Sequence, residues 1–144
     1  MKDENRLKLE NQLCFPLYAV SKEIIKKYKT FLDKIDLTYT QYIVMLVLFE
    51  EKSINVKNLG EKLFLDSGTL TPLLKKLELK GYINRERMES DERNLNISIT
   101  EKGIKLKESC LYIPLNVGKC IDLTEEETLT LYRILYKILK SIND

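Results

Sequence analysis

The segment from residue 56 to residue 81 constrains the fold more than any other part of the chain. Residues 56–63 (VKNLGEKL) predict a short helix, and residues 64–66 predict a turn. Residues 67–81 predict a second helix, because Ser67 lies near its N-cap and Gly81 stops it. The apolar face of this helix consists of Leu70, Leu73, Leu74 and Leu77. Two short helices joined by a tight turn indicate a helix-turn-helix.

A β-hairpin follows directly. Residues 82–87 and 94–100 are candidate strands, and the second alternates apolar with polar side chains. They flank a charged tip at residues 88–93, and residues 53–56 are a further short β-prone piece. Because a hairpin directly after the second helix of a helix-turn-helix is a wing, the sequence predicts a winged helix over about residues 53–100.

The rest of the chain has helical periodicity. Apolar residues recur at intervals of three or four, and the run after Asp36 or Thr38, either of which could cap it, is apolar nearly all round. The predicted helices are residues 7–34, 39–51, 100–118 and 123–142. The predicted fold class is therefore mainly α with a small β-hairpin wing, in a single domain spanning residues 1–144.

Composition excludes several classes of function. The 144 residues carry a net charge of only +2, so nucleic-acid binding would depend on local clusters of charge. The longest apolar run, residues 42–49, is far shorter than the ~20 residues of a membrane span, and the charged N-terminus is unlike a signal peptide. We therefore expect a cytoplasmic protein without a membrane partner. The absence of histidine excludes His-containing metal sites and Cys-His nucleophile pairs, and we expect no metal and no cofactor.

Three cysteines, Cys14, Cys110 and Cys120, are odd in number and lack CxxC spacing, which argues against a disulfide scaffold. A lone cytosolic cysteine is most often a small buried hydrophobe. Pro16 adds a second consideration for Cys14. A proline there either kinks the first helix or lies in its first turn, and in the second case Cys14 is near a helix N-terminus, which favours a thiolate.

Several blocks resemble one family. The wing DERNLNISITEKG resembles the D-x-R…L-T signature of the MarR family of winged-helix repressors. The blocks LENQLCFPLYA, LTYTQYIVMLVL and LFLDSGTLTPLLKKLE are similar to its organic hydroperoxide repressor branch. The resemblance covers about the first hundred residues, and the last third matches only in helical pattern. Two positions depart from the family: Thr40 replaces its usual proline, and Pro16 replaces an ordinary residue.

The resemblance implies a homodimer whose terminal helices, about residues 7–34 and 101–142, form the dimerisation region. It places Cys14 at the position of a thiol that organic hydroperoxides oxidise. It assigns support of the thiolate to Tyr18, Tyr28 and Tyr39, although each tyrosine could instead be core or interface packing. Tyr28 is on the same helical face as Cys14 but about 21 Å along a helix that rises ~1.5 Å per residue. A Tyr28–Cys14 contact must therefore join two subunits.

The resemblance also implies binding to double-stranded DNA with a pseudo-palindromic operator, which the oxidised protein releases. Small and hydroxyl side chains let a helix approach bases, and lysines neutralise phosphates. Arg93 at the wing would enter the minor groove, with Asp91 holding the wing, although Arg93 could simply pair with Asp91 or Glu92. The predicted DNA-binding residues are Asp66, Ser67, Gly68, Thr69, Thr71, Pro72, Lys75, Lys76, Asp91 and Arg93.

Oxidised Cys14 would be resolved in one of two ways. Family members use either a low-molecular-weight thiol or a second cysteine in the C-terminal region of the partner, and Cys120 lies near that second position. Cys110 is predicted to be structural filler. Alternative functions are a broader thiol-based MarR regulator of the SarZ and MgrA kind, or a repressor that binds a small phenolic ligand. A thiol peroxidase is disfavoured because the chain lacks the peroxiredoxin motif, so no enzyme activity is expected.

Overall fold

The computed structural model describes residues 3–88 and 91–144, and the side chains of residues 3–87 and 95–144. The helices are α1 (Cys14–Leu32), α2 (Tyr39–Glu51), α3 (Val56–Leu63), α4 (Ser67–Leu79), α5 (Glu101–Cys110), α6 (Ile113–Gly118) and α7 (Glu125–Asn143). The strands are β1 (Ser53–Asn55), β2 (Ile83–Met88) and β3 (Asp91–Ile99), and short 3-10 helices cover Glu4–Leu7, Leu9–Asn11 and Asp33–Ile35. This architecture confirms the predicted fold class, a mainly helical winged helix-turn-helix.

Helix α2 lies at the centre of the core because it is apolar nearly all round. It begins with a capping box in which Thr38 Oγ1 accepts the Gln41 amide at 3.2 Å and Gln41 Oε1 accepts the Thr38 amide at 3.0 Å. Thr38, rather than Asp36, is therefore the cap. The side chains buried in this core include Tyr42, Val44, Met45 and Leu48 of α2, Leu59 of α3, and the four leucines of the α4 apolar face.

The helix-turn-helix is built from local signals. Asn55 caps α3 by accepting the Lys57 amide at 2.8 Å, and Phe64 ends that helix in a left-handed conformation (φ 56°). Gly60 permits the tight turn, because a Cβ atom there would lie 2.7 Å from the Leu65 carbonyl oxygen. Asp66 then caps α4, and Gly81 follows the end of that helix with φ +82°, as its role as a stop predicts.

The wing belongs to a three-stranded antiparallel sheet in the order β1-β3-β2. The short β-prone piece predicted before the helix-turn-helix is strand β1, in which Ile54 pairs with Ile97 of the wing. Ile83 and Ile97 are buried and attach the hairpin to the core. The register shifts between Arg87 and Met88, towards the end of the hairpin that leaves the core.

Two predicted helices differ from the structure. The helix predicted from residue 7 begins at Cys14, and the preceding residues form two 3-10 turns, because periodicity does not distinguish successive turns from a helix. The single helix predicted over residues 100–118 is two helices, α5 and α6, with Pro114 in the first turn of α6. A proline cannot donate the hydrogen bond that a continuous helix needs, so the chain breaks after Cys110.

The terminal helices expose much apolar surface in the single chain. Within the described chain α7 buries no residue, and its apolar residues Leu129, Tyr132 and Ile142 are more than 60% exposed. The N-terminal segment and the start of α1 likewise expose large apolar side chains, including Leu7 and Leu13. We call these two regions, residues 7–20 and 129–142, the terminal apolar surface. Among residues 3–88 and 91–144, none of the helices combines the length and the apolar character needed to cross a membrane.

Candidate sensor and nucleic-acid interface

Cys14 is the first residue of α1, and its side chain is exposed. Pro16 is the third residue of the helix, where its missing N–H breaks nothing because the first-turn amides have no partner within a helix. The leucine that precedes Cys14 has no side chain that could cap these amides. The free amides of the first helical turn therefore lie beside Cys14. Of the two interpretations of Pro16, the structure has the helix beginning beside Cys14.

Three tyrosines meet where α1 approaches the start of α2. The Tyr28 ring lies 4.9 Å from the Tyr39 ring in an edge-to-face arrangement and 5.6 Å from the Tyr42 ring. Burial raises the pKa of Tyr28 and Tyr39, and Tyr28 adds to the effect on Tyr39. Burial, with smaller contributions from Tyr28, Cys110 and Tyr39, raises the pKa of Tyr42 to about 12. The phenols therefore keep their protons at neutral pH and remain hydrogen-bond donors.

The structure brings together two of the three predicted sensor tyrosines. Tyr28 and Tyr39 share the cluster, whereas Tyr18 lies on α1 one turn after Cys14 and is 64% exposed. Cys14 stands at the opposite end of α1 from Tyr28, about 21 Å away by helical rise. Tyr42 belongs to the same cluster and was not predicted. Its position three residues after Tyr39 on a helix is the signal that could have found it.

The two remaining cysteines, Cys110 and Cys120, differ in solvent exposure. Cys110, the last residue of α5, is 4% exposed, and burial raises the pKa of its thiol. Its packing fits the prediction that it is structural filler. Cys120 is exposed in the loop between α6 and α7, and its thiol donates to the Asn116 carbonyl oxygen at 3.6 Å. A loop thiol of this kind is accessible to an incoming partner.

Helix α4 presents the predicted DNA-binding residues on its outer face. Eight of the ten predicted residues lie in α4 or at its cap, and all eight are exposed, opposite the buried leucines: Asp66, Ser67, Gly68, Thr69, Thr71, Pro72, Lys75 and Lys76. Small side chains at the start of the helix leave its N-terminal turn open to close approach, and both lysines follow on the next turns. This is the arrangement of a recognition helix, in which the N-terminal residues reach base edges.

Two of these residues also have roles within the helix. Asp66 Oδ1 accepts the Thr69 amide at 2.7 Å, and hydrogen bonds from Thr69, that of its backbone first, hold the pKa of Asp66 below its usual range. The Thr71 hydroxyl donates to the Ser67 carbonyl oxygen at 2.8 Å. A capping carboxylate that already accepts a backbone amide organises the start of the helix whether or not it meets DNA.

The wing is joined to the recognition helix by an ion pair that was not predicted. Arg85 Nη2 donates to Glu78 Oε1 at 3.1 Å, and the Arg85 amide donates to Glu78 Oε2 at 3.2 Å. The hydrogen bond from the Arg85 side chain lowers the pKa of Glu78. Asp91 and Arg93 belong to strand β3, but their side chains lie outside the described ones, so their predicted roles stay predictions.

Comparisons with known proteins identify the family. Residues 26–110 match the family model described as transcriptional regulator SarA/Rot. The chain is 47% identical over 139 residues to the organic hydroperoxide resistance transcriptional regulator of Bacillus subtilis (strain 168), covering 96% of this chain and 95% of that protein. It is 50% identical over 133 residues to the HTH-type transcriptional regulator SarZ of Staphylococcus haemolyticus (strain JCSC1435), covering 92% and 90%. These relatives are transcriptional regulators and not enzymes.

A solved structure agrees with this grouping. The crystal structure of AbfR of Staphylococcus epidermidis has a TM-score of 0.74 and 37% identity, and it covers 99% of this chain and 98% of that one. AbfR has also been solved in reduced form bound to DNA and in a disulfide form. By sequence and by fold, this chain belongs to the MarR-type winged-helix transcriptional regulators, in the group that contains the organic hydroperoxide regulator and SarZ.

Proposed function

We propose that this chain forms a homodimeric, DNA-binding repressor that an organic hydroperoxide inactivates by oxidising Cys14. One observation carries the proposal: Cys14 is an exposed thiol at the first residue of a helix, in a chain 47% identical to an organic hydroperoxide regulator. A reactive cysteine must be accessible to its oxidant, and the exposed side chain of Cys14 meets that requirement. Because such a repressor acts on chromosomal DNA, we infer a cytoplasmic location.

Dimerisation would cover the terminal apolar surface. Its leucines, tyrosines and isoleucines are too many and too exposed for a stable lone subunit, since large exposed apolar patches mark interaction sites. A second copy packed there would bring its own Cys14 towards the tyrosine cluster of the first. The hydroxyls of Tyr28 and Tyr39, and of Tyr18 one helical turn from Cys14, are the proposed donors to the thiolate.

The proposed chemistry is a two-electron oxidation. The Cys14 thiolate attacks the outer oxygen of the hydroperoxide and breaks the O–O bond, and the leaving alkoxide takes a proton to become an alcohol. The sulfur is then a sulfenic acid, which condenses with a second thiol to form a disulfide and release water. We propose Cys120 of the partner subunit as that thiol, because it is exposed on a loop, with a low-molecular-weight thiol as the alternative.

The proposed DNA contacts follow the outer face of α4. Its small and hydroxyl residues would read the major groove, while Lys75 and Lys76 neutralise phosphates. Arg93, supported by Asp91, would insert into the minor groove beside each half-site. A two-fold dimer binds a pseudo-palindrome whose half-sites are about one helical turn, ~10 bp, apart. Oxidation would release the repressor by moving the two recognition helices out of this spacing.

The deciding experiment measures operator binding by the reduced protein before and after treatment with cumene hydroperoxide. The wild type should bind when reduced and release when oxidised, whereas Cys14→Ser should bind and ignore the oxidant. Cys110→Ser is the matched control, because it removes a buried thiol, and it should respond as the wild type does. Release of DNA by oxidised Cys14→Ser would contradict the proposal.

A broader oxidant response is the second candidate, and the 50% identity to SarZ favours it. Titration with hydrogen peroxide alongside cumene hydroperoxide separates the two. Equal sensitivity to both oxidants supports a general thiol-based regulator, and a strong preference for the organic hydroperoxide supports the first proposal.

A further inference from the structure

We propose that Lys80 couples the start of α2, where the sensor residue Tyr39 lies, to the recognition helix α4. Through this contact Lys80 would transmit oxidation of Cys14 to the DNA-binding surface. The inference rests on the proposed function and adds a mechanism of regulation to it. Residues 33–41, which join α1 to α2, are called the α1–α2 corner. Lys80 follows directly after the last residue of α4 and reaches across to this corner.

Lys80 contacts three oxygen atoms in the α1–α2 corner. Its Nζ donates to the backbone carbonyl of Asp36 and to Gln41 Oε1, the latter at 3.4 Å, and lies 3.5 Å from Asp36 Oδ2. Gln41 is 3% exposed, and the same Oε1 accepts the Thr38 amide in the capping box of α2. Lys80 therefore binds the side-chain oxygen of Gln41, which organises the first turn of α2. The Asp36 carboxylate is 93% exposed, so its attraction contributes little beside the other two contacts.

The backbone beside Lys80 is tied to a third helix. The Lys80 carbonyl oxygen accepts from Lys102 Nζ at 2.6 Å, and the neighbouring Gly81 carbonyl accepts from the Thr100 hydroxyl at 2.6 Å. Thr100 is also the cap of α5, because its Oγ1 accepts the Gly103 amide at 3.1 Å. The end of the recognition helix is therefore bonded to the start of α2 on one side and to the start of α5 on the other.

One of the sensor tyrosines, Tyr39, lies in the same corner, and it contacts a second, Tyr28, on α1. Tyr39 is the first residue of α2, inside the capping box that Lys80 contacts through Gln41, and its ring packs 4.9 Å from Tyr28. In the proposed dimer, oxidation of the partner's thiol changes what these hydroxyls bind. A displacement of the first turn of α2 would be carried by Lys80 to the end of α4, because packed helices move as rigid bodies. Lys80 is thus a positioning residue that acts through α4.

A simpler role for Lys80 is to stabilise the fold without passing on a signal. The two roles differ in one measurable quantity, the ratio of the operator Kd of the oxidised protein to that of the reduced protein. A stabilising contact affects both states alike and leaves this ratio unchanged. A coupling contact changes the ratio, because allostery is the difference in affinity between two states.

The test compares this ratio, with cumene hydroperoxide as oxidant, in the wild type, Lys80→Met and Lys34→Met. Lys34→Met is the matched control, because Lys34 lies in the same corner but its Nζ lies over the Phe31 ring of α1, 5.8 Å from the ring centre, and not against α4. We expect Lys80→Met to bind DNA when reduced and to lose its Cys14 thiol at the wild-type rate. Its ratio should fall by about fivefold or more, while that of Lys34→Met stays at the wild-type value.

Each outcome decides between the proposals. If the wild type keeps its DNA when oxidised, the proposed function fails and the coupling role fails with it. If the wild type releases DNA and Lys80→Met does so by the same factor, only the coupling role of Lys80 is overturned. Lys80→Arg, which keeps the charge and the donors, should recover part of the ratio. If thermal unfolding shows that Lys80→Met does not fold, Lys80→Gln takes its place and the same ratio decides.

Discussion

At the scale of single residues, Tyr39 has the clearest expected effect on oxidation. Its hydroxyl stays protonated, since burial raises its pKa, and it can therefore donate a hydrogen bond to a thiolate, as proposed above. Tyr39→Phe should keep the fold, because the ring still packs on Tyr28, and should slow Cys14 oxidation about tenfold, as expected when a hydrogen bond to a charged group is removed. Stopped-flow oxidation by cumene hydroperoxide measures the rate. Tyr112→Phe, at an exposed ring, is the control and should react as the wild type does.

The raised pKa of Tyr42 predicts that the free energy of unfolding falls at alkaline pH. Its folded pKa, about 12, is above the unfolded value of 10.0, so the folded state holds the proton while the unfolded state releases it. The contribution of Tyr42 to the free energy of unfolding is therefore complete below about pH 10 and is lost as pH rises towards 12, by on the order of 2–3 kcal/mol. Urea unfolding of the reduced protein at pH 8 and pH 11 tests this. Tyr42→Phe should flatten the pH dependence, and an equally steep fall in that variant would contradict the assignment.

Some residue positions could be predicted from the sequence, and others depend on tertiary packing. The exposed face of α4 could be predicted, because leucines at helical spacing fix which side is buried. The Lys80 and Arg85 contacts could not, since each joins segments whose relative placement depends on tertiary packing. Lys80 and Asp36 are 44 residues apart in the chain, and no local pattern links them.

At the scale of elements, helix boundaries were predicted correctly where a local capping signal marks them. The bounds of α3 matched the prediction, because Asn55 and the left-handed Phe64 define its ends. The start of α1 and the division between α5 and α6 were missed, because apolar spacing continues through 3-10 turns and through a break. Periodicity therefore predicts that a region is helical more reliably than it predicts where each helix begins.

Helix α4 carries the prediction that belongs to this scale. Lys76→Ala should weaken operator binding and flatten the dependence of log Kd on log salt by about one unit for each phosphate that the lysine no longer neutralises, hence about two for a dimer. Lys105→Ala is the control, because it removes the same charge from the exposed side of α5. Fluorescence anisotropy over a series of salt concentrations gives both slopes. A slope for Lys76→Ala that matches the wild type would exclude phosphate binding by this lysine.

At the scale of the whole molecule, Cys14 and Cys120 are the two exposed thiols. Cys14 begins α1, and Cys120 lies in the loop before α7, so each flanks a helix that carries part of the terminal apolar surface. A disulfide requires Cα atoms within roughly 7 Å. If the thiols of two subunits start farther apart, bond formation must shift these helices. Such a shift, passed on through the α1–α2 corner, would change the spacing of the two recognition helices.

The proposed bond predicts a covalent dimer after oxidation. Treatment with cumene hydroperoxide followed by non-reducing electrophoresis should give a band of twice the monomer mass, which a reductant removes. Cys120→Ser should lose this band because sulfenic acid at Cys14 then lacks its partner, whereas Cys110→Ser should keep it because that thiol is buried at the end of α5. A monomeric band, with mass spectrometry detecting only small-thiol adducts on Cys14, would reject Cys120 as the resolving residue and leave the low-molecular-weight thiol in that role.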